Sequence, residues 1–166
     1  RTPFPQKLLD SLPDLRLLVT TGMRNASIDI QAATQNGVTV CGTDGLGYPT
    51  AELTWGLIIA LSRSIPEENQ SSRSGYWQTT LGIGLKGKTL GLIGLGRLGS
   101  QVAKVGNAFG MTVTAWSQNL TAAKAAESGA KLVPLEQIMT DSDFVSIHTV
   151  LSERTRGLIG IRELEL

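Results

Sequence analysis

The sequence predicts an α/β protein with a parallel sheet, and three observations carry that expectation. Short apolar, β-rich runs alternate with helix-spaced segments along the chain, and parallel strands need such helical crossovers between them. A glycine triad, Gly94, Gly96 and Gly99, stands between one of these runs and a helix. The 166 residues are 41% hydrophobic and 17% charged, the balance of a soluble globular protein of one or two small domains.

Leu15 to Thr20 reads as a buried strand that ends in a loop at Thr21-Gly22. Asn25-Ala-Ser27 offers a helix cap, and the stretch to Gln35, closed by Asn36-Gly37, reads as a short helix. Val38 to Cys41 is a second brief strand, with Cys41 a small buried residue within it. The glycine-rich stretch 42–48 marks a boundary, and Pro49 suits the first turn of a helix. From Thr50 that helix is apolar on most sides, which predicts packing between two bodies, and it should stop before Pro66. Glu67 to Arg73 reads as a solvated helix end or linker, and Gly75 to Gly87 as a loop.

Lys88 to Ile93 is then a strand, and Ser100 to Phe109 a helix with apolar residues at Val102, Ala103, Val105 and Phe109, stopped by Gly110. Met111 to Trp116 is a strand, Thr121 to Ser128 an alanine-rich helix, and Lys131 to Val133 a short strand. A helix from Leu135 to Thr140 and a strand from Phe144 to His148 continue the alternation, and Ile161 to Leu166 opens a further helix.

Composition excludes several function classes. A net charge of +1 gives no field to hold nucleic acid or an anionic membrane, and the apolar run Leu57 to Leu61 is far short of the roughly 20 residues a bilayer needs. One cysteine and one histidine leave no internal disulfide and few soft ligands, so no metal site is expected and a reducing, cytoplasmic compartment is.

The chemistry lies in the glycine triad. Gly94 permits a tight turn, Gly96 lets backbone approach a pyrophosphate, and Gly99 allows the helix to pack closely on the strand, while the helix N-terminus turns N–H groups toward the anion. That is the fingerprint of a dinucleotide site within a βαβ unit of about 30 residues. A carboxylate at the end of the second strand would select NAD by binding the ribose 2′-hydroxyl. Trp116-Ser117-Gln118-Asn119 stands there instead, with neither a carboxylate nor an adjacent arginine, so NAD and NADP both remain open. Arg97 can reach a phosphate or stand as a solvated charge at the helix start.

The chain resembles the D-isomer-specific 2-hydroxyacid dehydrogenases, the group that includes phosphoglycerate dehydrogenase, glyoxylate/hydroxypyruvate reductase and formate dehydrogenase. The matching blocks are Thr20-Thr-Gly-Met23, Pro49-Thr-Ala-Glu-Leu-Thr-Trp55, the segment Leu85 to Gly99, Ala108-Phe-Gly-Met111, Asp143-Phe-Val-Ser-Ile-His148 and Thr155-Arg-Gly-Leu-Ile159. The resemblance implies part of a flavodoxin-like substrate domain over residues 1–46 and a Rossmann NAD(P)-binding domain over residues 47–166, incomplete at its C-terminal end. It implies a homodimer in the full-length form, joined through long hinge helices.

By the same resemblance Thr21, Gly22 and Met23 form a loop whose N–H groups hold the substrate carboxylate, and Thr21 also lies near the nicotinamide. The spacing after Met23 is longer than in many members, and assignments stop there. Thr50 falls near the nicotinamide amide, Arg97 and Leu98 face the pyrophosphate, Ser117 takes the place of the ribose carboxylate, and Thr149 lines the adenine side. Read alone, Thr50 is equally a helix cap and Thr149 a strand end. His148 matches the family's structural histidine on the strand, not its base.

The family's catalytic arginine, glutamate and histidine have no counterpart in these residues, so no catalytic residue is assigned. The expectation is an internal fragment of a longer NAD(P)-dependent dehydrogenase that interconverts a D-2-hydroxy acid and its 2-keto acid, the fragment alone being inactive. The alternative is a non-catalytic dinucleotide-binding or regulatory module.

Overall fold

The computed structural model describes residues 2–23 and 25–166. The chain divides into two compact units, Arg1–Leu46 and Gly47–Leu166.

In the first unit, α1 (Gln6–Asp10), β1 (Leu17–Thr20), α2 (Ile30–Gln35) and β2 (Thr39–Gly42) alternate. The strands run parallel, Leu17 opposite Thr39 and Thr20 opposite Gly42. The cap of α2 is Asp29, which accepts from the Ala32 N–H at 2.9 Å, and not the Asn25–Ser27 segment. Asn25 instead accepts from Ser27 N–H in a turn and donates to Thr20 Oγ1. Leu9, Ala32, Ala33 and Val38 form the core, with Leu18 and Val40 packed on it.

Because side chains alternate across a strand, Leu17, Val19 and Cys41 face away from that core. Val19 is 57% exposed and Cys41 is exposed, which corrects the reading of a buried strand and a buried cysteine. The physical reason is that, within this unit, helices cover one face of a two-stranded sheet. Helix α1, absent from the sequence reading, is five residues long and buries only Leu9.

The second unit contains α3 (Tyr48–Ser62), α4 (Ile65–Arg73), β3 (Thr89–Ile93), α5 (Arg97–Ala108), β4 (Thr112–Trp116), α6 (Ala122–Glu127), β5 (Lys131–Leu132), α7 (Leu135–Asp141), β6 (Phe144–Ile147) and α8 (Ile161–Leu164). The four strands are parallel in the order β5-β4-β3-β6. Leu90 and Leu92 of β3 pack with Trp55 and Ile58 of α3 and Val102 and Ala103 of α5. On the opposite face Ile93 meets Ile138 of α7 and Val133. At Gly91, on that same face, a Cβ would stand 2.6 Å from Ile138 Cγ2, so glycine here lets α7 lie against the strand.

Helix α3 buries Ala51, Trp55, Ile58 and Ser62, while Leu53, Leu57 and Leu61 point outward from the unit. It does stop before Pro66, at Ser62, and Ser64 between the two helices is in the left-handed region with φ 49°. Pro66 then occupies the first turn of a second helix, with Glu67 and Glu68 beside it, so the polar run 67–73 is a helix in its own right. Glu68 fastens the following loop, its carboxylate accepting from Thr79 N–H and Oγ1 and from Thr80 N–H. Those hydrogen bonds, led by Thr80, hold its carboxyl below the ordinary value.

The N-terminal edge of the sheet is closed by Asp143, which accepts from Thr89 N–H at 2.8 Å and from Lys88 Nζ at 2.9 Å. The Thr89 hydrogen bond first, then Lys88, lowers its pKa. A carboxylate kept ionised by the fold stabilises it fully above the unfolded value near 4, and this contribution fades as pH falls through the lower folded value. We therefore expect Asp143→Asn to be less stable than the parent at pH 7 and the difference to shrink at pH 3. Denaturant midpoints measured at both pH values check this, and a difference unchanged by acid would contradict it.

Candidate functional site

Strand β3 lies between β4 and β6, so successive crossovers leave it in opposite directions. Such a reversal opens a crevice at the carboxyl ends of the strands, where ligands of α/β sheets bind. The ends of β3, β4 and β6 are Ile93, Trp116 and Ile147, and the residues that follow them meet at this crevice. Gly94, Gly96, Arg97, Leu98, Gly99, Ser117 and Thr149 are brought together there.

The glycine loop is held by backbone. Gly94 has φ +104°, its N–H donates to Trp116 O at 2.7 Å, and a Cβ on it would lie 2.8 Å from His148 C and 2.9 Å from Thr149 N. Gly99, in the first turn of α5, sits so close to Gly94 that a Cβ would overlap the Gly94 carbonyl oxygen. Gly96 is the cap of α5, in extended conformation, and a Cβ there would meet nothing within 4 Å. The loop thus has a packed inner side at Gly94 and Gly99 and an open outer side at Gly96. First-turn N–H groups lack intrahelical partners, so the open side carries donors and the positive end of a 12-residue helix.

Arg97 and Leu98 are the first two residues of α5, Arg97 exposed and Leu98 half-buried. Gly47 lies against the Arg97 and Gln101 side chains, which sets the start of α3 beside the first turns of α5. Thr50 is in that start but is not its cap: Gly47 is, and the Thr50 carbonyl accepts from Thr54 Oγ1 at 2.8 Å.

Ser117 Oγ accepts from the Leu95 N–H at 3.1 Å. The hydroxyl therefore ties the end of β4 to the middle of the glycine loop, a contact no local sequence signal marks because the partners are 22 residues apart. His148 N–H donates to Ile93 O, and its ring nitrogen Nε2 lies 3.0 Å from Ser146 Oγ. Burial pushes the imidazole pKa down from its ordinary value. His148 is thus a half-buried packing residue beneath the loop.

Thr21, Gly22 and Met23 lie in the first unit, in the loop after β1. Gly22 has φ +85° and its N–H reaches Thr43 Oγ1 at 3.3 Å. A Cβ on Gly42 would stand 2.7 Å from Gly22 O and 2.8 Å from Met23 Cα, so the loop rests directly on the end of β2. Thr21 is exposed and Met23 is 71% exposed.

Residues 55–166 match the family described as D-isomer specific 2-hydroxyacid dehydrogenase, NAD binding domain. The chain belongs to the D-isomer specific 2-hydroxyacid dehydrogenase family. Among relatives in this family, a glyoxylate reductase of Aeropyrum pernix is 40% identical over 96% of the chain and 50% of its own length. A phosphoglycerate oxidoreductase from Vibrio cholerae superposes with TM-score 0.92 at 35% identity, covering 99% of this chain and 54% of that one. D-lactate dehydrogenase of Aquifex aeolicus, solved with NAD and lactic acid, gives 0.77 at 27% identity, covering 92% and 46%. The chain thus spans about half the length of these relatives. Its matched region contains β3, α5 and the glycine loop, and no helix among the described residues is long and apolar enough to cross a membrane.

Proposed function

We propose that this chain carries the cofactor half of an NAD(P)-dependent oxidoreductase that interconverts a D-2-hydroxy acid and its 2-keto acid. The single observation that carries the reading is the loop Gly94–Gly99 at the reversal of the sheet, packed on its inner side and open at Gly96. Gly96 and the first N–H groups of α5, with Arg97 and Leu98, would hold the pyrophosphate. Ser117 would face the adenosine ribose, Thr149 the adenine side and Thr50 the nicotinamide amide. The nicotinamide, when bound, gives or takes the hydride.

Residues 1–46 are assigned to the substrate domain and 47–166 to the cofactor domain. Thr21, Gly22 and Met23 would bind the substrate carboxylate through backbone N–H groups, which accept an anion without a formal charge. Thr21 would also approach the nicotinamide. The functional form is assigned as a cytoplasmic homodimer.

Reduction of a keto acid needs a proton donor near neutrality and a cation on the carboxylate. The only histidine in the sequence, His148, is engaged with Ser146 beneath the glycine loop and does not serve as that donor. The 166 residues are therefore expected to bind NADH or NADPH saturably, followed by quenching of tryptophan fluorescence, and to show no cofactor oxidation with glyoxylate, pyruvate or hydroxypyruvate. Absence of saturable binding would overturn the cofactor assignment, and turnover would overturn the account of His148.

A further inference from the structure

From Asn69 to Ala126 the sequence contains no aspartate or glutamate. That stretch includes β3, the glycine loop, α5, β4 and the start of α6, and its β3-to-α6 part carries Arg97, Lys104 and Lys124. The absence of carboxylate at position 117 is therefore the local instance of a wider one: the whole βαβ unit that would hold a dinucleotide is cationic. Asp143 sits at the N-terminal edge of the sheet, away from this crevice, and Glu153, in the loop after β6, is paired with Arg156.

The hydroxyl of Ser117 adds direction to that charge. Its oxygen accepts from Leu95 N–H, which leaves its proton to donate elsewhere. A carboxylate at this place would accept from the two ribose hydroxyls and repel a phosphate; a fixed hydroxyl donor suits an oxygen that can only accept. Gln118 and Asn119, both exposed, follow in the turn closed by Leu120 N–H to Ser117 O, and each amide brings two more donors. The end of β4 thus presents hydrogen-bond donors and no carboxylate where NAD-selective sites present an acceptor and negative charge.

We infer that the adenosine end of this site accepts a 2′-phosphate, so that NADP(H) binds at least as tightly as NAD(H). The inference rests on the dinucleotide reading of the Gly94–Gly99 loop. It is tested on the 166-residue chain by fluorescence titration with NADPH and with NADH, and by competition with adenosine 2′,5′-bisphosphate against ADP. The expected result is a NADPH dissociation constant equal to or below that for NADH, with the bisphosphate the better competitor. Ser117→Asp should raise the NADPH constant by about tenfold or more while the NADH constant holds or falls. Asn119→Asp, on an exposed side chain with no structural bond, should shift the ratio in the same direction and serves if the first variant folds poorly. NADH binding more tightly than NADPH, or a ratio unmoved in the folded variants, would overturn the inference while leaving the dinucleotide reading intact. Failure of both dinucleotides to bind would overturn that reading and the inference with it.

Discussion

Replacing Gly99 with alanine is expected to weaken NADH or NADPH binding by about 100-fold, equivalent to about 2.7 kcal/mol, and to lower the melting temperature as well. The added methyl overlaps the Gly94 carbonyl oxygen, and that carbonyl has nowhere to retreat. Gly94 is bonded to Trp116 on one side and packed on the His148–Thr149 backbone on the other. The helix must move instead, which withdraws Val102 and Ala103, both fully buried, from β3 and β4. Forced overpacking of this kind costs about 1–3 kcal/mol in stability. Gly96→Ala provides the contrast: its backbone is extended and its Cβ would meet nothing, so the fold should melt as the parent does while the methyl obstructs close approach of the pyrophosphate. Titration and thermal melts of both variants separate the two effects. A Gly99→Ala chain with parental affinity would remove the glycine loop from the site.

Trp55→Ala is expected to cost about 3–5 kcal/mol, a large share of the 5–15 kcal/mol that holds a typical domain together. The indole is 6% exposed, lies 5.0 Å from the Phe109 ring and joins α3 to the core over β3 and β4. Trp55→Phe should cost less than Trp55→Ala, because an aromatic ring still fills most of the site. The buried Nε1 has no hydrogen-bond partner among the described residues, so its removal relieves an unmet donor and offsets part of the lost contact. Denaturant unfolding of the two variants measures the difference. Equal losses would mean that the indole nitrogen is satisfied in solution or that the ring does not carry the packing described.

The cofactor unit was legible because its signals are local. A strand, a spaced glycine triad and an amphipathic helix follow one another within a few turns, and Gly94 and Gly99 each have a steric reason to be there. What escaped reading depends on contacts between distant residues. An apolar strand such as Leu17–Thr20 looks the same whether one face or both are covered, so neither the exposure of Val19 nor that of Cys41 could be read from it. Pro66 marks a helix stop and a helix start equally well, and only the left-handed Ser64 before it decides for both. The bond from Leu95 to Ser117 joins a loop to a strand end through a side chain whose type would suit any turn.

The strand order has a kinetic consequence. β3 pairs with β4 across one crossover helix, whereas β6 reaches β3 from more than twice as far along the chain. Each doubling of a closing loop adds only about 0.6 kcal/mol, so the final sheet loses little by it, but the wait for the encounter lengthens. The β3-α5-β4 crossover unit should therefore assemble early, with the glycine turn already shaped by its pairing to Trp116. Closure by β6, which lays His148 and Thr149 against Gly94, is the late event, and until it occurs the nascent crevice has only two of its three walls.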